Sequence, residues 1–304
     1  MEHKIRIQQN DGYTTWLYPF YTTADSVVGS VVILHGMAEH HERYLHFAFF
    51  LNQNGFDVYL YDHRGHGTTQ KLDDLGYFGN YYGYQTVIDD AIEVLNYVKS
   101  QNRSKKLFLF GHSMGSLIAR NVTQTYQLLD GVILSGSTYP PFLKTLSGKT
   151  IASLICLFYG KRHRSNSLSH LLFGGRKYSS LCKRTSFDWL TRNNPLIGVY
   201  INDPYCGFLC TASFYKDLIC LADYASRKKR IQLTKKDLPI LLISGDQDAV
   251  SNYGKEILSL HKMYQTLGFT KVTYQLYPNC RHELLNELND EEVFADILTY
   301  LKKH

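Results

Sequence analysis

The chain has 304 residues, with 33 Lys and Arg against 27 Asp and Glu, a formal net charge of +6 and 44% hydrophobic residues. That length is enough for one sizeable domain and an elaboration, and no internal repeat or low-complexity tract interrupts it. The basic excess comes with no nucleic-acid recognition motif, and Cys206 and Cys210 have no second pair to complete a zinc site, so nucleic-acid binding and structural zinc both fit poorly.

In chain order, residues 4–8 and 14–18 read as an N-terminal hairpin. Val31-Val32-Ile33-Leu34 is an apolar run that reads as a buried strand, leading into His35-Gly36-Met37-Ala38-Glu39-His40. Residues 57–60 form another strand, followed by Asp62-His63-Arg64-Gly65-His66-Gly67. Leu107-Phe108-Leu109-Phe110, bounded by Lys106 and Gly111, reads as a strand buried on both faces, as in a parallel sheet. It runs into Gly111-His112-Ser113-Met114-Gly115, after which Leu117, Ile118 and Val122 recur at helical spacing. Further strands are expected at 131–134, 239–244 and 273–277, and the chain ends on two amphipathic helices. Strands alternating with helices imply a mainly parallel sheet covered on both faces.

A G-x-S-x-G by itself should occur by chance in roughly one such chain in ten; the strand-turn-helix setting gives this one its meaning. A serine hydroxyl is a poor nucleophile unless a turn exposes it and a base accepts its proton. Gly111 and Gly115, lacking Cβ, permit a close strand-helix crossing while Ser113 takes a strained conformation. The alternative is an ordinary helix N-cap serine. The order Ser, acid, His also holds. Gly245-Asp246-Gln247-Asp248 follows the strand at 239–244, and His282 lies in the loop after the last strand. Asp248 is the expected acid, because Asp246 next to Gly245 suits a turn-capping role. Glu283 is read as a helix-start residue. The expected oxyanion donors are the backbone N–H groups of Met114, at a helix N-terminus, and of Met37, in the loop after 31–34. The bland reading of His35-Gly36 is a strand-ending turn.

These blocks together resemble the α/β-hydrolases of the monoglyceride lipase and lysophospholipase group, related to the serine aminopeptidases. The resemblance spans nearly the whole chain. It rests on His35-Gly36 with Glu39-His40 and Arg43-Tyr44, on Asp62 to Gly67, on Gly111 to Gly115, and on Gly245, Asp248 and His282. The runs Phe187-Asp188-Trp189-Leu190-Thr191-Arg192 and Asp203-Pro204-Tyr205-Cys206-Gly207-Phe208 are similar to the cap of bacterial lysophospholipases of the group. The resemblance implies an α/β-hydrolase fold, a mainly parallel eight-stranded sheet flanked by helices with an inserted, mostly helical cap. It also implies a structural rather than catalytic Asp62–Gly67 loop, leaving His63 and His66 outside the catalytic set. Two departures stand out: Ala38 where the group usually carries glycine, and Thr68-Thr69 where it more often continues with serine and glycine.

On this reading residues 1–142 and 237–304 form the core and 143–236 the cap. The cap carries 17 Lys and Arg against four acids (Asp188, Asp203, Asp217 and Asp223), a net +13, whereas the rest of the chain is −7. A positive surface draws anionic headgroups. The apolar run 151–159 directly precedes Lys161-Arg162-His163-Arg164, as expected of an interfacial lid, and at about nine residues is too short to span a bilayer. The alternative is a cap helix packed on the core with a solvated basic end. Arg227-Lys228-Lys229-Arg230 reads as a solvated connector. Aminopeptidase relatives need acids to hold a substrate's N-terminus, and a cap with no Glu is poorly supplied. A neutral acylglycerol or a lysophospholipid fits better, with Phe208, Phe214 and Tyr215 as possible acyl-channel residues or ordinary core.

Met1-Glu2-His3-Lys4 leads into a strand with no signal peptide, so six cysteines suggest free thiols and a cytoplasmic setting, with peripheral membrane contact through the cap. Cys280 reads as buried packing. No cofactor or metal is implied. The expected activity is hydrolysis of carboxylic esters of lipids, monoacylglycerol or lysophospholipid, through an acyl-enzyme on Ser113. The alternatives are a short-chain carboxylesterase or peptidase of the same fold, or a catalytically silent membrane-docking protein.

Overall fold

Alternation along the strands divides the interior in two. Successive side chains of a strand point to opposite faces, so Leu107 and Leu109 join one apolar cluster, with Val32, Leu34, Val132 and Leu134, while Phe108 and Phe110 join another, with Val31, Ile33 and Ile133. A strand apolar at every position can only be stable with helices on both sides. The computed structural model describes residues 4–304; Met1 to His3, at the start of the expected N-terminal lead, lie outside the described residues.

The strands are β1 (Ile5–Gln8), β2 (Thr14–Phe20), β3 (Gly29–Leu34), β4 (Phe56–Tyr61), β5 (Leu107–His112), β6 (Gly131–Ser135), β7 (Ile240–Gly245) and β8 (Val272–Tyr277). They form one eight-stranded sheet in the order β1-β2-β4-β3-β5-β6-β7-β8. The β1–β2 and β2–β4 pairs are antiparallel and the other five parallel. This is the mainly parallel α/β-hydrolase sheet the sequence led us to expect, each strand within two residues of its expected position.

Helices α1 (Leu45–Gln53), α2 (Gly83–Ser100) and α3 (Met114–Val122) connect the first strands, and α10 (Lys255–Thr266) and α11 (Asp290–Lys303) belong to the last part of the chain. α1 and α11 cover the β-face that carries Phe108 and Phe110; α2, α3 and α10 cover the other. The chain leaves the sheet after β6 and returns at β7. In between come α4 (Phe142–Tyr159), α5 (Asn166–Phe173), α6 (Arg176–Ser179), α7 (Asn194–Asn202), α8 (Ala212–Ser226) and α9 (Lys228–Ile231).

Two local expectations change. The apolar run 151–159 is only the second half of α4, whose 18 residues are long and apolar enough by themselves to cross a membrane. In the fold, Thr145, Gly148 and Ala152 of α4 are buried, with Gly148 against Ile219 of α8, while most of its apolar side chains face outward. Phe214 is ordinary core, 4.5 Å from the Phe78 ring, whereas Phe208 and Tyr215 line the cavity described below.

Candidate active site

Ser113 sits where β5 meets α3, with φ 52° and ψ −115°, a conformation that L-residues rarely hold. The flanking glycines explain how it is reached. A Cβ on Gly115 would lie 2.1 Å from the Leu34 carbonyl oxygen of β3, and one on Gly111 would lie 2.5 Å from the Gly115 oxygen. Both contacts are with backbone, so neither can relax by a rotamer change. The Ser113 N–H is anchored to the Ser135 carbonyl at 2.9 Å. The N-cap alternative fails: the Ser113 side chain makes no capping bond, and the hydroxyl is left to line the cavity.

His282 lies in the loop after β8, its Nδ1 3.0 Å from Oδ1 of Asp248 in the loop after β7. Both are buried. Asp248 also accepts from the Val250 N–H at 2.8 Å and the Ser244 hydroxyl at 3.0 Å. Burial by itself would raise this carboxyl, but the His282 ring and these donors outweigh it and hold Asp248 below the usual carboxylate value. For His282 the balance runs the other way. Burial disfavours its cation, and the Asp248 carboxylate more than compensates, so the imidazole lies above its ordinary value. With Nδ1–H donated to Asp248, Nε2 keeps the free lone pair. Asp246 does not compete, since its carboxylate accepts from the Asn279 N–H at 2.8 Å and ties the two loops together.

The loop after β3 lies against the nucleophile: a Cβ on Gly36 would be 3.3 Å from the Ser113 Cβ. Its conformation is fixed by polar contacts. His35 Nδ1 donates to the Gly36 carbonyl at 2.7 Å and its Nε2 accepts the His63 N–H at 3.0 Å, which defines the neutral tautomer. Burial keeps His35 well below its ordinary value, consistent with that form. The Gly36 N–H donates to Glu39 Oε1, which also accepts from the Tyr44 hydroxyl at 2.7 Å. The Gly36 N–H is therefore occupied, whereas neither the Met37 nor the Met114 N–H has an acceptor among the described residues. Ala38, at φ 54°, is left-handed. That conformation costs a non-glycine residue about 1 kcal/mol.

Several neighbours sit in the blocks that carry the resemblance, but their contacts with one another had no sequence signal. Arg43 joins Glu39, at 2.9 Å, to Glu283. Glu283 does precede a short 3-10 turn, but its carboxylate is a buried partner of Arg43 rather than a solvated helix-start charge. The His112 ring lies 4.7 Å from that of His282, tilted by 49°, and burial, reinforced by His282, drives its pKa down to about 3, so it stays neutral. Trp189 places its ring 5.3 Å from His282 on the cap side. The spacing pattern of a triad says nothing of such supports, because they come from elements distant in sequence.

The Asp62–Gly67 loop acts at one remove. Asp62 accepts the His41 N–H at 2.8 Å, and Arg64 binds Asp90 of α2 and Asp11 beyond β1. His63 and His66 are buried, and burial pushes both down, to about 3 and about 4. Among the described residues two clusters of potential metal donors occur, His40 with His41 and Asp62, and His40 with Asp203 and Cys206. In each, carboxylate and imidazole already bond to one another, and burial pushes the Cys206 thiol well up. All six cysteines are free, and Cys280 is buried with its thiol on Asn289 at 3.1 Å.

Ser113, His282, Met37 and Met114 open onto one cavity of about 730 Å³ between core and cap. A model of the family described as "Serine aminopeptidase, S33" matches residues 25–289. The chain is 25% identical over 273 residues to Phospholipase YtpA of Bacillus subtilis, covering 89% of this chain and 94% of the relative. It is 23% identical over 318 residues to the Monoglyceride lipase of Saccharomyces cerevisiae, covering 96% and 90%. A thermostable carboxyl esterase from Bacillus coagulans, solved with glycerol, superposes with a TM-score of 0.87 at 27% identity, covering 99% and 98%. With the matched region extending over most of its length, the chain belongs to the serine aminopeptidase S33 family and is a hydrolase of the α/β-hydrolase fold.

Proposed function

We propose that this protein hydrolyses carboxylic esters of single-chain lipids, monoacylglycerol or lysophospholipid, through an acyl-enzyme on Ser113. The observation that carries the reading is the pairing of His282 with buried Asp248 in the same cavity as the strained, uncapped Ser113. In the first half-reaction His282 Nε2 takes the Ser113 proton as Oγ attacks the ester carbonyl. The Met37 and Met114 N–H groups stabilise the tetrahedral oxyanion, and His282 returns the proton to the departing alcohol. Water, activated by the same histidine, then clears the acyl group.

Three features support a lipid ester over a peptide. The cavity's volume falls within the roughly 300–1,000 Å³ of small-molecule sites, and its walls include Ile151, Leu172, Phe173, Leu209 and Ile219. Its two glutamates, Glu39 and Glu283, are both committed to Arg43, so neither is free to hold a substrate's N-terminal ammonium. The relatives named above are a phospholipase and a monoglyceride lipase. Among the described residues, Lys144 and Lys177 of the cavity make no ion pair, which favours a phosphate-bearing leaving group and hence the lysophospholipid. The outward apolar side of α4, followed by Lys161, Arg162 and Arg164, suits peripheral contact with an anionic membrane.

The test is fatty-acid release from monoacylglycerol and from lysophosphatidylcholine of matched chain, with Ser113→Ala as control. Release that disappears in the variant is the expected result, and near-normal turnover by Ser113→Ala would sink the mechanism. Cleavage of short esters alone would reduce the assignment to a general carboxylesterase.

A further inference from the structure

We propose that the cap completes the oxyanion loop, and that Tyr200 and the Asp203–His40 pair are positioning residues for catalysis. This rests on the reading of the Met37 N–H as an oxyanion donor. The core holds the loop on either side of Ala38: at the entrance through His35, and beyond it through Tyr44 on Glu39 at 2.7 Å and Asp62 on the His41 N–H at 2.8 Å. His35 Nδ1 donates to the Gly36 carbonyl at 2.7 Å, and in a trans peptide the C=O and N–H point in opposite directions, so this bond aims the Met37 N–H away from His35. Among the described residues, no hydrogen bond from the core reaches Ala38 itself.

The cap supplies such bonds. The carbonyl of left-handed Ala38 accepts the Tyr200 hydroxyl at 3.0 Å and the Gly207 N–H at 2.9 Å. Two residues on, His40 Nε2 meets Asp203 Oδ2 at 2.7 Å. Tyr200 is itself buried, with the Arg43 guanidinium 4.7 Å from its ring. A left-handed alanine persists only where its surroundings over-determine it, and here two of the restraints on Ala38 come from residues 200–207 of the insertion. The conformation of Ala38, and with it the alignment of the Met37 N–H, therefore depends on that segment being seated.

The experiment compares Tyr200→Phe and Asp203→Asn with the unmodified protein on a water-soluble short ester. Each is scored by kcat and KM, by thermal midpoint, and by affinity for two inhibitors. One is a trifluoromethyl ketone, which forms an oxyanion on the serine. The other is the corresponding alkyl ether, which forms none. Loss of alignment predicts a roughly tenfold fall in kcat with KM within about twofold. It also predicts a matching loss of ketone affinity and unchanged ether affinity. Retained kcat in both variants would overturn the proposal, as would ketone and ether affinities falling together. If Tyr200→Phe lowers the thermal midpoint, Asp203→Asn decides by the same ketone-to-ether ratio. Activity surviving in Ser113→Ala would instead overturn the proposed function and leave the loop geometry untouched.

Discussion

Residues 187–207 and helix α4 belong to the same insertion but meet the rest of the protein in opposite ways. In the first segment, Glu283 N–H donates to the Leu190 carbonyl at 2.7 Å, Arg281 reaches the Thr191 carbonyl at 3.1 Å, and Arg192 pairs with buried Glu287 at 2.8 Å. Together with the Tyr200 and Asp203 contacts, these bonds tie the segment to both the His282 loop and the loop after β3. In α4, Leu157 and Phe158 are each 75% exposed. Such an outward row of large apolar side chains is unusual on a soluble surface. One part of the cap is fastened to the core by directional hydrogen bonds, which specify geometry, and the other presents outward apolar area, which does not.

The largest expected effect lies at the point both regions serve. Ser113→Ala should lower ester turnover by about four to six orders of magnitude with an unchanged circular dichroism spectrum. Next comes Asp248→Asn, for which kcat should fall by about three to four orders, since the amide no longer holds the required tautomer. The pH profile sharpens this. His282 must be neutral to accept the serine proton, and Asp248 holds its pKa above the ordinary value. The acid limb of kcat/KM should therefore sit above pH 6.5 and move to lower pH in the variant.

On the fastened side, Arg43→Met leaves Glu39 and Glu283 buried without their cation, and should destabilise the fold by about 3–5 kcal/mol in urea titrations. A loss under 1 kcal/mol would mean that Glu283 takes up a proton when its cation is removed. That is chemically reasonable, because burial pushes Glu283 upward. The smallest effect belongs to α4. Leu157→Glu with Phe158→Glu should slow hydrolysis of substrate in anionic vesicles by about tenfold and leave a soluble ester unaffected. Equal rates on vesicles would remove the adhesive half of the comparison.

Sequence alone determined a good deal here. Period-two and all-apolar runs placed the strands, because side-chain alternation and burial on two faces are written in local composition. The glycines of Gly111-His112-Ser113-Met114-Gly115 identified the elbow, because no other residue fits against the Leu34 backbone. Chain order singled out Asp248 and His282, and the structure joins them by a hydrogen bond. Tertiary structure decided the rest. Whether α4 faced the core or solvent was undetermined, since an apolar run reads the same in either setting. Glu283 looked like a surface helix-start charge until Arg43, 240 residues away, was seen to meet it. The left-handed backbone of Ala38, and the Tyr200 and Gly207 donors that hold its carbonyl, are not written in the residue type. Such contacts join residues with no fixed spacing, so only the folded chain can bring them together.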